Sequence, residues 1–343
     1  MSDVLIEKSG RLGLITLNRP AAINSLTHDM ARDIAAALAA WEHDDSVRAV
    51  AITGAGERGL CAGGDIVAIH RDAQGDGSQT KSFWRDEYTL NDQISKYPKP
   101  YVALMDGIVM GGGVGVSAHG SVRIVTERSA IGMPEVGIGF VPDVGGTYLL
   151  ARAPGELGTH IALTTARLTA GDAIVCGFAD HFVPSAELEA LLAALSEEAP
   201  HEVISRFAQP APESELHTQR EWIDSCYSAD TVEEIVARLQ RSATPEAGKA
   251  AQQILSKSPT ALKVALRSLR SARRSPSLAV TLNEEYRVSL ACLRSPDLVE
   301  GIRAQVVDKD RNPRWSPAQL EDVSDDLVAS FFRDLGDEEL GLS

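Results

Sequence analysis

Two glycine turns, and the acids that follow the second, constrain this chain more than any other feature. Gly111-Gly112-Gly113-Val114-Gly115 is followed by Met133-Pro134-Glu135 and then by Phe140-Val141-Pro142-Asp143-Val144-Gly145-Gly146. Upstream, Cys61-Ala62-Gly63-Gly64-Asp65 comes after a strand-like run. With no Cβ to block approach, two such turns can bring backbone N–H groups close to one oxygen atom. If the second turn opens a helix, its free N–H groups and dipole also favour developing negative charge. Glu135 and Asp143 then supply carboxylates. Donors for an oxyanion with acids nearby equip a protein for thioester or enolate chemistry.

The pattern around these turns alternates. Residues 12–17 read as a strand with an earlier partner at 4–8 across Ser9-Gly10, and Pro20 stops it. Thr27 is placed to cap a helix in which Met30, Ile34, Leu38 and Trp41 recur at helical spacing. Residues 48–53, 101–105 and 122–126 read as further strands, with a helix opened by the glycine run lying between the last two. That alternation predicts an α/β arrangement. After Asp180-His181-Phe182-Val183 the character changes, and 188–195, 231–239, 247–255, 261–274 and 278–293 all read as helices. Ala208-Gln209-Pro210-Ala211-Pro212-Glu213-Ser214 reads as an exposed linker.

Composition narrows the function. A net charge of −15, from 33 basic and 48 acidic residues, disfavours nucleic acid and anionic membrane as partners. The four cysteines form no CxxC pair, and no two histidines stand four apart, so neither a disulfide framework nor a metal site is expected. The first residues carry no charged-then-apolar signal, and no apolar run approaches the ~18 residues of a membrane span. The expectation is a soluble protein located in the cytoplasm.

Several ordered segments then point to one family. They are Asn18-Arg19-Pro20-Ala21-Ala22-Ile23-Asn24-Ser25-Leu26, Phe83-Trp84-Arg85-Asp86-Glu87-Tyr88-Thr89-Leu90-Asn91, Tyr97-Pro98-Lys99-Pro100-Tyr101, and Met105-Asp106-Gly107-Ile108-Val109-Met110 running on through the glycines to Pro142-Asp143. In these the chain resembles the crotonase (enoyl-CoA hydratase/isomerase) superfamily, and within it the branch of 3-hydroxyisobutyryl-CoA hydrolases. The stretch from Asp297 to Trp315 is similar to the family's closing helices. The extra helical material between Pro200 and Leu239 is similar to that of the hydrolase branch.

The resemblance implies a spiral of ββα repeats of the ClpP-like kind, followed by a helical region, with the division near 183: residues 1–183 as the acyl-CoA-binding core and 184–343 as helices. It implies that the main-chain N–H groups of Gly64 and Gly112 form an oxyanion hole for a thioester. Glu135 becomes the catalytic carboxylate, as nucleophile or as base for water, and Asp143 a second catalytic acid. Glu87, Gly112, Glu135 and Asp143 become the substrate contacts. Coenzyme A enters as part of an acyl-CoA substrate, with no other cofactor and no metal, and assembly into a homo-oligomer is expected.

The residues themselves leave alternatives open. Asp143 opens Asp-Val-Gly-Gly-Thr, which also reads as a helix N-cap. Glu87 on a helix is ordinarily a surface acid. Mostly apolar or small neighbours place Glu135 in a poorly hydrated cleft, where desolvation would raise its pKa. Hydratases of the superfamily carry a glutamate where this chain has Gly115, so one of the two acids needed to add water across a double bond is absent. An enoyl-CoA hydratase or isomerase, and a non-catalytic acyl-CoA binder, remain as rivals. Gly115-Val116-Ser117-Ala118-His119 nearly reads as a nucleophile elbow, but Ser117 is expected inside a helix and not at its start. Cys61 is expected to be a small packing residue.

Overall fold

The computed structural model describes residues 2–343. Among the described residues nine strands form two sheets. They are β1 (Val4–Ser9), β2 (Leu12–Leu17), β3 (Ala49–Gly54), β4 (Tyr101–Met105), β5 (Ile108–Met110), β6 (Val122–Val125), β7 (Ala130–Gly132), β8 (Arg167–Leu168) and β9 (His181–Phe182). The larger sheet has the order β1-β2-β3-β4-β6-β9, antiparallel between β1 and β2 and parallel from β2 onwards. The smaller has the order β5-β7-β8. The chain therefore deals strands to the two sheets in turn: β4 to the large and β5 to the small, then β6 and β7 likewise. This is the winding that a spiral of repeats requires.

The chain divides into two compact units, one of residues 1–64, 86–132 and 167–215, the other of residues 65–85, 133–166 and 216–343. Both sheets belong to the first. Alternate residues of the large sheet, Leu12, Ala49, Ala51, Val102, Leu104 and Ile124, bury one face against Leu191, Leu195, Val203 and Ile204 of two helices. These helices are Leu188–Glu197 and Pro200–Phe207. The period of two that puts those residues on one face is what made the strands readable. The helix His28–Glu42 begins where expected, with the Thr27 hydroxyl accepting from Met30 N–H at 3.3 Å. Its Trp41 ring lies over Gly13 of β2, where a Cβ would come within 2.5 Å of the ring. The glycine in mid-strand thus marks a close approach, not a weak strand.

The second unit is helical. Thr231 and Ser258 cap the helices Val232–Arg241 and Pro259–Ala272 through their hydroxyls, and Ser277 does the same for Leu278–Leu293. Within Val232–Arg241 the buried residues Val232, Ile235, Val236 and Leu239 make one apolar stripe. Glu156 ties the unit together. Its carboxylate accepts from Arg270 at 2.8 and 3.0 Å, from Arg273 at 2.6 Å and from the Thr159 hydroxyl at 2.6 Å. Burial pushes this acid upward, but the hydrogen bonds from Arg273, Thr159 and Arg270 outweigh it and hold its pKa below the usual carboxylate range.

A depressed acid stabilises the fold above its unfolded pKa, and that stabilisation is lost as pH falls through its lower folded value. Glu156→Ala strands two partly buried guanidinium groups, so a loss of about 2 kcal/mol is expected, discounted from the cost of breaking a fully buried pair. Urea titration at pH 7 and pH 3 checks this: the difference between wild type and variant should shrink at the lower pH.

Among the described residues no helix is long and apolar enough to cross a membrane.

Candidate active site

In the first unit, β5 explains why the two glycine turns meet. Cys61 pairs in parallel with Val109 of β5: its N–H donates to the Ile108 carbonyl at 3.1 Å, and its carbonyl accepts from Met110 N–H at 3.0 Å. Both turns therefore leave the same end of one ladder. Gly63 (φ +107°) and Gly111 (φ +47°, ψ −119°) then bend the chain through conformations closed to other residues. A Cβ built on Gly112 would lie 3.3 Å from the Gly64 nitrogen and 2.6 Å from the Glu87 carboxylate. Gly64 N–H, Gly112 and Glu87 thus form one cluster. No hydrogen-bond acceptor for Gly64 N–H or Gly112 N–H is found among the described residues. Two neighbouring main-chain donors are thus left over in a folded interior.

The helix after the second turn is shorter than expected. It spans only Gly112–Gly115 before the chain turns through Ser117. A single turn carries little macrodipole, so what this segment offers an anion is N–H groups in place of an aligned helix. Ser117 lies just beyond that helix and not within it, and its hydroxyl donates to the Gly113 carbonyl at 2.6 Å. It is an internal tie and no elbow nucleophile. Burial pushes the Cys61 thiol up to about 12, which leaves it inert as well.

Glu87 is not the surface acid its helical position suggested: within the helix Ser78–Ser95 it is buried, 2% exposed. One helical turn on, Asn91 is fully buried, and neither atom of its side-chain amide has a hydrogen-bond partner among the described residues. Asn91 carries no local sequence signal beyond its place in the segment 83–91.

The second unit holds the other acids. Glu135 is the first residue of a short 3-10 helix, Glu135–Ile138, packed against the helix Pro296–Ile302. A Cβ on Gly139 would come within 2.2 Å of the Asp297 carbonyl oxygen, and one on Gly301 within 2.3 Å of Ile138. Phe140 stacks on Trp84 with ring centroids 5.1 Å apart. The carboxylate so anchored is 6% exposed, and its Oε2 has no hydrogen-bond partner among the described residues. Burial, then repulsion from Asp143 and more weakly from Glu285, push Glu135 well above the usual carboxylate range, against an opposing bond from its own N–H. This is the desolvated acid its neighbours implied.

Asp143 is buried, but it does not occupy an N-cap position: the helix that follows, Gly146–Leu150, has Gly145 there. Capping comes from a residue that sequence reasoning passed over. Glu285, in the helix Leu278–Leu293, accepts from Gly145 N–H at 2.6 Å, from Thr147 N–H at 3.0 Å and from the Thr147 hydroxyl at 2.5 Å. These hydrogen bonds offset part of the cost of burying the carboxyl group. Burial nonetheless raises Glu285, to about 8. Its one sequence signal is position: it is an acid on the buried stripe with Leu282, Tyr286 and Ser289.

The structure therefore groups Gly64, Gly112 and Glu87 in one unit, and Glu135, Asp143 and Glu285 in the other. Lys309 and Arg311, basic residues near the closing helices, are exposed.

Comparison with known proteins gives the family. The enoyl-CoA hydratase/isomerase family model matches residues 12–332. The 3-hydroxyisobutyryl-CoA hydrolase of Gallus gallus is 42% identical, over 99% of this chain and 91% of its own. Among solved structures, a carnitinyl-CoA dehydratase from Mycobacterium thermoresistibile is 56% identical with a TM-score of 0.97, covering 99% of both chains. An enoyl-CoA hydratase from Rhodobacter sphaeroides is 45% identical with a TM-score of 0.94, covering 99% of this chain and 100% of its own. The crotonase fold expected from the sequence is the one these neighbours share. One expectation is corrected: the chicken relative, like the mouse and human proteins of the same name, is mitochondrial, so a cytoplasmic location does not stand. With a family match across nearly the whole length and relatives this close, the chain belongs to the enoyl-CoA hydratase/isomerase family.

Proposed function

We propose that the protein hydrolyses acyl-CoA thioesters, with 3-hydroxyisobutyryl-CoA, an intermediate of valine breakdown, as its substrate. The observation that carries this is Gly115, buried in the short helix after the second glycine turn, where a hydratase has its second glutamate. Hydration or dehydration moves two protons and holds a water across a double bond; thioester hydrolysis needs one carboxylate and an oxyanion hole. The whole-length likeness to hydrolases of this name supports the same choice.

In this reading Gly64 and Gly112 donate their N–H groups to the thioester oxygen as it gains charge. Glu135 either attacks the carbonyl carbon or takes a proton from an attacking water. The first route expels coenzyme A as thiolate and leaves a mixed anhydride on Glu135, which water then cleaves. In the second, water attacks directly and Glu135 holds its proton. Both deliver a carboxylic acid and, once the thiolate is protonated, free coenzyme A. Asp143 and Glu87 orient the acyl hydroxyl or the water. The steps draw on main-chain donors, carboxylates and water alone.

A second reading, hydratase or dehydratase, is favoured by the names of the two solved structures. One assay separates them. Thiol release from 3-hydroxyisobutyryl-CoA is expected, with no loss of the crotonyl-CoA double bond. Loss of that double bond without thiol release would overturn the hydrolase reading, and neither reaction would favour a binding role.

A further inference from the structure

Glu285 is used by none of the steps above, yet it is bound to the segment that carries Asp143. That segment is strained. Val144 has φ +52° and Gly145 φ +77°, and the turn is closed by Gly146 N–H donating to the Asp143 carbonyl at 2.6 Å. A β-branched residue rarely adopts a left-handed conformation, and it stays there only where its surroundings over-determine it. The surroundings here are the Glu285 carboxylate, which takes donors from Gly145 and Thr147, on either side of Gly146. Met133 adds a contact from the other acid's segment: a Cβ on Gly146 would lie 2.4 Å from its methyl carbon. We propose that Glu285 is a positioning residue for the reaction, clamping the strained turn after Asp143 so that the Asp143 carboxylate keeps its place near Glu135.

The clamp has an electrostatic side. Glu135 faces Asp143 from the following loop and Glu285 from the helix Leu278–Leu293. The helix Pro296–Ile302 brings Asp297, which is bonded to the Ser258 hydroxyl at 2.5 Å and to Ser316 N–H at 2.8 Å. A half-buried Lys257 approaches the same 3-10 helix: its Nζ would be 3.9 Å from a Cβ on Gly137. Cys292, a buried thiol on the Glu285 helix, feels Asp143 and Asp297. Glu285, raised to about 8, is mostly protonated at neutral pH and adds to the repulsion on Glu135 only as it ionises in the alkaline range.

The inference rests on the hydrolase reading only for the reaction in which it is measured, so both thiol release and hydration are first assayed in the wild type. Should the wild type hydrate instead, the hydrolase reading falls, and the Glu285 variants are judged in the hydration reaction. Glu285→Gln keeps the side chain's size but turns an acceptor into a donor against the turn. It is expected to lower kcat about tenfold or more with KM within about twofold, as for misplaced catalytic groups. Glu285→Asp, which keeps a carboxyl group as acceptor for the turn, should recover part of kcat. If the folded fraction of Glu285→Gln shows wild-type kcat, the proposal is overturned. Should that variant fail to fold, Thr147→Val removes one donor and leaves the carboxylate. A kcat reduced about threefold or more at unchanged melting temperature supports the clamp, as loss of a positioning contact would; an unchanged kcat overturns it.

Discussion

Glu135→Gln is expected to reduce thiol release about a thousandfold or more while leaving KM nearly unchanged, the loss that follows when a group acting in the transition state is removed. An amide can neither attack the thioester nor accept a proton from water, so both routes fail together. Folding should not fail with them. The carboxylate is 6% exposed, Oε2 has no hydrogen-bond partner among the described residues, and Asp143 and Glu285 repel it. A buried acid whose folded pKa is raised favours the folded state below its unfolded pKa. That advantage is lost as pH rises through the folded value. Replacing it by a neutral isostere removes the cost, so the melting temperature of the variant should equal or exceed that of the wild type, increasingly so at higher pH. A site that gives up stability for chemistry leaves this signature. Trapping with hydroxylamine during turnover separates the two routes in the wild type: covalent modification of the Glu135 carboxyl reports the anhydride, and its absence reports activated water. A variant keeping more than about a tenth of the wild-type rate would remove Glu135 from the mechanism, since catalytic acids and bases contribute at least about a hundredfold.

How much of this was legible follows from the range of each interaction. The strands at Leu12–Leu17 and Tyr101–Met105 and the helix capped by Thr27 were readable because alternation and capping are local. The two glycine turns were readable as turns, but what joins them, the pairing of Cys61 with Val109, links segments far apart in the chain. Asp143 was readable as a cap because Asp-x-Gly-Gly-Thr is a local pattern. The structure gives the cap to Glu285 instead, 138 positions from Thr147. No local rule finds such a partner; only the presence of an acid among Leu282, Tyr286 and Ser289 hinted at it. Glu87 was ambiguous for the same reason, since whether a helical acid is exposed depends on what packs over it. The length of the helix at Gly112 was overestimated because several glycines in succession favour a turn as much as a helix, each costing about 1 kcal/mol in a helix interior. The relatives add a chemical ambiguity that no fold comparison removes: near-identical backbones bear the names of a dehydratase and a hydratase. What separates such reactions is the identity of single side chains, here Gly115 and Glu135, on a shared scaffold.

Gly112→Ala is expected to lower kcat by about a hundredfold to a thousandfold, the cost of losing one oxyanion donor. Gly112 opens a helix and lies outside the left-handed region, so alanine meets no backbone strain there. The obstacle is the methyl group itself. It would lie 2.6 Å from Glu87 Oε1, 3.2 Å from Leu26 Cδ1 and 3.3 Å from the Gly64 nitrogen. The end of the Glu87 side chain can swing aside; the Gly64 backbone cannot. The methyl therefore intrudes on the space next to Gly64 N–H and displaces an acid proposed to orient the substrate. Gly248→Ala is the matched control. Gly248 lies in the helix Pro245–Leu255 with nothing within 4 Å of an added Cβ, so the substitution should stabilise by about 0.5–1 kcal/mol through helix propensity and leave kcat unchanged. Measured together as thiol release and thermal unfolding, the two variants separate blockage of an anion site from a general intolerance of alanine for glycine. Wild-type kcat in Gly112→Ala would mean that the thioester oxygen is held elsewhere, and the oxyanion role of Gly64 would fall with it, because the methyl would then crowd Gly64 N–H without consequence.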